Sequence, residues 1–279
     1  MNLDFPIAIT KMSGAGNDFI VIDHRRPLVP EPLQPQFAQL VCRRRFSVGA
    51  DGLILIEDDE ELDFRWRFYN SDGSVAEMCG NGARCAARFA FRQGIAGRSQ
   101  RFRTVAGVIE AEVIGEQEHV SVRMTEPFGY RDGIFINLDG TSYEVFFINT
   151  GVPHAVVFVA SDQIPVREWG RRLRFHEQFA PAGTNVDFVR VDGDGALLVR
   201  TYERGVEDET MACGTGVVAA ALVAVRQGLC ESPVDVTTGG GEQLLVQFTG
   251  EGGEQGTDVY LQGAARIVYE GALSPEALL

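Results

Sequence analysis

The sequence predicts an α+β protein of two domains built to one plan, and three observations predict it. Residues 79–94 (CGNGARCAARFAFRQG) and 213–228 (CGTGVVAAALVAVRQG) align without a gap, 134 positions apart, with nine of sixteen residues identical. The offset is nearly half of the 279-residue chain. Each stretch has the length of one helix ending at a glycine and lies among short β-branched runs that read as strands. A duplication follows: two pseudo-twofold-related domains, each a mixed or antiparallel sheet wrapped around a central helix. The expected boundaries are 1–127 for the half with the Cys79 helix and 128–264 for the half with the Cys213 helix. A tail at 265–279 returns to the first domain.

The elements are expected in this order. Residues 7–23 read as strand, glycine turn, strand, with Ser13 to Asp18 as the turn. That turn lacks the third glycine and following helix of a dinucleotide fingerprint. It is either a plain tight turn or a loop that brings Asn17 to a ligand. Four prolines mark 27–35 as loop. A helix is expected over 36–45, ending in a solvated Arg43–Arg45 cluster. Residues 53–56 (LILI) form a buried strand and Phe64 to Tyr69 a second. Asn70-Ser71-Asp72-Gly73-Ser74 is a turn leading to the first cysteine helix. Strands at 101–114 and 119–125 complete the half.

In the second half, 143–159 again reads strand, turn, strand, with Gly151-Val152-Pro153-His154 as the turn. A helix follows at 165–178, then strands at 186–191 and 197–202, the second cysteine helix, and strands at 234–237, 243–248 and 258–269. Arg67-Phe68-Tyr69-Asn70 corresponds to Arg200-Thr201-Tyr202-Glu203, so the duplication extends beyond the helices. Val217 to Val225 is apolar all round, which requires burial on every side.

Composition narrows the function. A net charge of −14 argues against nucleic-acid and anionic-membrane partners. The N-terminus is not a secretory signal, and the nine-residue apolar run Val217–Val225 is too short to span a bilayer. Five cysteines, none in C-x-x-C spacing, fit free thiols in a reducing cytoplasm and no metal site. Lys11 is the only lysine. Nothing around it suggests the Schiff base that pyridoxal phosphate needs, so no cofactor is expected.

The two Cys-Gly-x-Gly turns carry the chemistry. A helix start offers unpaired N–H groups and the positive end of the dipole. Both should lower the thiol pKa toward neutrality. The glycines let a carboxylate approach those N–H groups closely. Two such starts facing one ligand could invert a carbon centre, one thiolate removing the Cα proton and the opposite thiol supplying another. Cys42, Cys85 and Cys230 lack the glycines and read as structural.

The motifs together resemble the diaminopimelate epimerase family over essentially the whole chain. They are Lys11-Met12 with Asn17-Asp18-Phe19, Gly49-Ala50-Asp51-Gly52, Asn70-x-Asp72-Gly73-Ser74, Cys79-Gly80-Asn81-Gly82-x-Arg84-Cys85, Pro153-His154, Gly183-Thr184-Asn185, and Tyr202-Glu203-Arg204-Gly205 before Ala212-Cys213-Gly214-Thr215-Gly216. The resemblance implies cofactor-independent interconversion of LL- and meso-diaminopimelate, on the route to lysine and peptidoglycan. It implies that Cys79 and Cys213 are the acid–base pair. Gly80, Asn81, Gly214 and Thr215 would hold the α-carboxylate. Asn17, Asn70, Asn185, Glu203 and Arg204 would bind the rest of the amino-acid substrate. His154 and Glu203 would tune the cysteines. The family usually has asparagine where this chain has Val152, which puts contacts to the distal end in doubt. A racemase of another amino acid on the same fold, or a non-enzymatic thiol sensor, stays open. So does the oligomeric state, with a homodimer among the options.

Overall fold

The computed structural model describes residues 1, 3–115, 119–250 and 258–279. The chain divides into two compact units, Met1–Val122 with Gly263–Leu279, and Arg123–Gln262.

The first unit begins with β1 (Ile7–Gly14) and β2 (Asn17–Asp23), a hairpin turned at Ala15-Gly16. Helix α1 (Gln34–Val41) leads to β3 (Gly52–Glu57) and β4 (Phe64–Asn70). Then come α2 (Gly80–Arg92), β5 (Ser99–Thr104), β6 (Gly107–Ile114) and β7 (His119–Arg123). Pairing runs antiparallel β1–β2, parallel β2–β3, antiparallel β3–β4, parallel β4–β5 and antiparallel β5–β6–β7. Residues of all seven strands form one apolar cluster around α2, including Met12, Phe19, Ile54, Trp66, Phe102, Val113 and Val120. The helix therefore lies inside its own sheet, as an alanine-rich face allows. Ala83, Ala86, Ala87 and Ala90 are all fully buried and let the strands approach closely. The opposite face of β1–β4 packs on α1 through Phe37, Ala38 and Val41.

The second unit repeats this order. It contains β8 (Phe128–Leu138), β9 (Thr141–Asn149), β10 (Pro153–Phe158), α3 (Val166–Arg174), β11 (Asn185–Val191), β12 (Leu197–Glu203) and β13 (Asp208–Thr210). Helix α4 (Gly214–Arg226), β14 (Val234–Thr238), β15 (Gln243–Phe248) and β16 (Val259–Ala264) follow. Pairing is antiparallel β9–β10, parallel β10–β11, antiparallel β11–β12, parallel β12–β14 and antiparallel β14–β15. That is the succession found from β1 to β6. The outer strands match too: β8 lies antiparallel to β9, and the last strand, β17 (Arg266–Leu273), lies antiparallel to β1. Val217 to Ala224 are buried on every side of α4. Removing one such side chain, Leu222→Ala for example, costs about 2–5 kcal/mol.

Several expectations change in detail. The first helix spans Gln34–Val41, because Cys42 and the arginines lie past its end. Arg44 is not merely solvated: it bridges Asp18 (2.5 Å) and Asp51 (2.9 Å). The helix expected over 165–178 stops at Arg174, and a 3₁₀ turn follows at Glu177–Phe179. The long strand β8 was not foreseen. Most of it is exposed, and bulges break its register between Phe128 and Ile134, so alternation is lost. The short β13 was also missed. The last strand is two, β16 and β17, broken at Ala265.

The registers give a residue-by-residue equivalence between the units. Leu53 faces Tyr69 and Ile54 faces Phe68 in the first; Val186 faces Tyr202 and Asp187 faces Thr201 in the second. Phe19 faces Gly52, and His154 faces Asn185. Superposing the two tyrosines makes Ile54 equivalent to Asp187, Phe68 to Thr201, Phe19 to His154, Gly52 to Asn185 and Asn70 to Glu203.

Candidate active site

Both cysteines occupy the position immediately before their helices. Cys79 and Cys213 have extended backbone, and their carbonyls accept the first helical bonds, from Ala83 N–H (2.8 Å) and Val217 N–H (2.9 Å). The N–H groups of residues 80–82 and 214–216 have no carbonyl partner within their helices, as at any helix start, and that of Gly216 donates to the Cys213 sulfur. Both residues are half-buried, and neither is in a disulfide. Gly82 and Gly216 sit at the same turn for a steric reason. A β-carbon at Gly216 would lie 2.2 Å from Asp187 Oδ1, and one at Gly82 would lie 3.4 Å from Ile54 Cδ1. These neighbours are the equivalent pair found from strand register.

In the first unit, the Asn81 amide donates to Asn17 Oδ1 (2.8 Å), and Asn17 donates to Asp51 Oδ2 (3.0 Å). The Arg84 guanidinium, fully buried, donates to Asn81 Oδ1 at 2.6 Å. Asn17, Asn81 and the cysteine helix are thus joined by hydrogen bonds. Asn70 stands at the end of β4, where its amide donates to Ser74 Oγ (2.9 Å) and shapes the turn before Cys79. Lys11 is tied to Asp18 at 2.7 Å and to the Gly49 carbonyl. The flanking Lys11 and Arg44 cations hold the Asp18 carboxyl below the usual range despite burial.

In the second unit, His154 Nδ1 lies 2.7 Å from Asp187 Oδ2, and both side chains are fully buried. The Thr201 hydroxyl donates to Asp187 Oδ1 (2.7 Å). On the other side, His154 Nε2 lies 2.9 Å from Thr215 Oγ1, which lies 3.4 Å from Cys213 Sγ. A connected chain therefore runs Thr201–Asp187–His154–Thr215–Cys213. Burial, then the nearby Asp187 and Glu203 carboxylates, push the Cys213 thiol up to about 12. From the helix start alone a lowered thiol is expected. Here desolvation and two acids outweigh that field, which is worth only about 0.3–1 kcal/mol at a helix end. Burial also raises the Glu203 carboxyl.

Asn185 uses its amide on backbone, donating to the Pro153 carbonyl (3.0 Å) and accepting from Arg204 N–H (2.8 Å). It fixes the turn that presents Arg204, whose guanidinium contacts the Ala182 carbonyl at 3.3 Å. The loop carrying Val152 is docked on the helix start, because the Thr150 hydroxyl donates to the Thr215 carbonyl (2.9 Å). Asp187, Thr201 and Arg84 were not singled out from sequence as site residues. Asp187 stands in an apolar strand run, Val186-Asp187-Phe188-Val189, and a buried acid inside such a run was the available signal.

A family model described as diaminopimelate epimerase matches residues 9–128 and 146–268. The chain is similar to the diaminopimelate epimerase of Aquifex aeolicus, with 48% identity covering 96% of this chain and 98% of that one. It is similar to the diaminopimelate epimerase of Archaeoglobus fulgidus at 44% identity, covering 96% of each. Its fold is similar to a solved PhzF-family phenazine biosynthesis protein from Bacillus anthracis, with a TM-score of 0.72 at 15% identity over 97% of this chain and 100% of that one. It is also similar to a hydroxyproline epimerase structure from Agrobacterium vitis, with a TM-score of 0.65 at 16% identity over 100% of this chain and 95% of that one.

Proposed function

Since the chain belongs to the diaminopimelate epimerase family, we infer that it interconverts LL- and meso-diaminopimelate as an isomerase on the route to lysine. Full-length similarity to curated epimerases supports the activity. The observation that carries the mechanism is the pair of matched helix starts, each with a cysteine outside any disulfide followed by Gly-x-Gly.

The reaction as proposed uses Cys79 and Cys213 on opposite faces of one Cα. The N–H groups after each cysteine hold the α-carboxylate and take up the charge that develops on it. One thiolate takes the Cα proton, and the electron pair of the broken C–H bond delocalises into the carboxylate. The opposite S–H then gives its proton to the other face, and its sulfur is left as thiolate. Charge and protons balance without a co-reactant. Asn17 and Asn81 stiffen one helix start; His154, Glu203 and Thr215 set the electrostatics of the other. In this reading Arg204 meets the distal carboxylate with its guanidinium fork; Asn185 fixes the turn that carries Arg204, and Asn70 shapes the turn before Cys79. The setting proposed is the cytoplasm, with all five cysteines outside disulfides, as a monomer or homodimer that sedimentation distinguishes. No helix among the described residues is long and apolar enough to cross a membrane.

The test is incubation of purified, cofactor-free protein with LL-diaminopimelate, followed by chiral separation. Formation of the meso isomer, abolished by Cys79→Ala or Cys213→Ala, is expected. Absence of turnover with diaminopimelate but α-proton exchange on another amino acid would move the substrate assignment, and Val152 is the residue that makes this arm worth running.

A further inference from the structure

The two helix starts carry buried side chains of opposite charge. Behind Cys213, Asp187 is fully buried and bonded to His154. The equivalent positions behind Cys79 are Ile54, Phe68 and Phe19, which are apolar and packed in one core cluster. The buried ion on that side is Arg84, one turn into the helix from Cys79, and its equivalent in α4 is Val218. We propose that Asp187, acting through His154 and Thr215, keeps Cys213 as the protonated member of the cysteine pair at rest and leaves Cys79 as the resting base. The assignment rests on the two-cysteine reading above and adds to it which thiol starts with the proton.

The direction of the hydrogen bonds carries the argument. An ionised carboxylate only accepts. Asp187 accepts from Thr201 O–H at one oxygen and from His154 Nδ1–H at the other. A neutral ring with its proton on Nδ1 presents a lone pair at Nε2, which accepts the Thr215 hydroxyl proton. The Thr215 oxygen then turns its own lone pairs toward Cys213 Sγ. A thiol satisfies that oxygen by donating S–H, whereas a thiolate would meet its lone pairs and keep only the Gly216 N–H, which outweighs neither burial nor the two acids. The acidic groups near Cys213 are Asp187 and Glu203, and His154 is the basic one. On the other helix the donations run from Arg84 to Asn81, from Asn81 to Asn17 and from Asn17 to Asp51. There a cation stands in the first turns of the helix. Asp187 is a positioning residue in this account, since it contacts neither sulfur nor substrate.

The opposite arrangement is a His154 imidazolium paired with a Cys213 thiolate, and it predicts effects of opposite sign. In a Cys79→Ala background, the rate of iodoacetamide alkylation at Cys213 is followed against pH by peptide mass spectrometry, with and without Asp187→Asn. The proposal expects the Asp187→Asn profile to move to lower pH by about one unit or more, because a negative charge is removed and the Thr215 hydroxyl is freed to donate to sulfur. It also expects Cys79, measured in a Cys213→Ala background, to ionise below Cys213. A shift of the Cys213 profile to higher pH would overturn the proposal, and so would an unchanged profile. Should Asp187→Asn fail to fold, ¹⁵N NMR of His154 in the unmodified protein decides. A neutral Nδ1–H ring at pH 7 supports the assignment, and an imidazolium or Nε2–H ring refutes it. Both readouts are made without substrate, so they can fail while the epimerase reading stands, and the reverse.

Discussion

The two cysteine helices share their shape and differ in what lies behind them. In the first unit the turn Cys79-Gly80-Asn81-Gly82 rests on Ile54 and Trp66, with a buried Arg84 gripping Asn81. In the second, Cys213-Gly214-Thr215-Gly216 rests on the carboxylate of Asp187, with His154 gripping Thr215. Strand order, register, cysteine position and glycine spacing are common to both. The difference teaches that duplication kept the parts that aim a thiol and its N–H donors, while the packing beneath each thiol diverged in polarity. Inversion of a carbon centre needs matching geometry on two faces but needs one acid and one base. A pair that is alike in shape and unlike in charge meets both needs.

The largest effects are expected from removing either thiol. Cys79→Ala and Cys213→Ala should each lower epimerisation by about a thousandfold or more, in the upper range for losing an acid–base group, with folding unaffected by circular dichroism. A single variant that keeps near-wild-type turnover would break the equivalence of the two helix starts. The glycines give a sharper comparison. Gly216→Ala would drive a methyl group against Asp187 Oδ1 and should destabilise by about 1–3 kcal/mol, whereas Gly82→Ala meets only ordinary contact with Ile54 and should stay within about 0.5 kcal/mol. Urea melts of both variants check this, and equal costs would mean the packing beneath the two turns is not as different as the structure has it. Next comes Thr215→Val, which removes the hydroxyl between His154 and Cys213 and should lower turnover about tenfold, near the cost of one hydrogen bond to an ionisable partner.

The smallest effect is on alkaline stability. Burial first of all holds the thiols of Cys42, Cys85 and Cys213 up to about 12, from an ordinary value of 9.0. In the unfolded chain they ionise near 9, so the native state binds more protons between 9 and 12. Their contribution is complete below pH 9 and is lost as pH rises through that window. Denaturant melts across it should show stability falling with pH, less steeply for Cys85→Ala. An unchanged slope in that variant would count against a buried thiol at Cys85.

Much of the fold could be read from the chain because periodicity and repetition are strong where burial is complete. LILI at 53–56 and the apolar Val217–Val225 run announce their strand and helix. Strand β8 could not be read so, since its side chains are largely exposed and its bulges shift the alternation. At the site, the cysteines and glycines were legible because the copies agree there. Asp187, Thr201 and Arg84 were not, because they lie where the copies disagree and an alignment of the halves passes over them. The sign of the Cys213 shift is hidden likewise: the helix start is visible in sequence, but the burial that chiefly raises the thiol, and the two acids that add to it from strands β11 and β12, are not.

The most direct test of the central claim is epimerisation of LL-diaminopimelate in D₂O, stopped early in the reaction. Two half-sites on opposite faces predict deuterium at the inverted centre of the meso product while unreacted substrate stays protiated, because the sulfur that removes the proton is not the one that supplies the new one. Deuterium washing equally into substrate and product would mean a single base serves both faces, and would contradict the account.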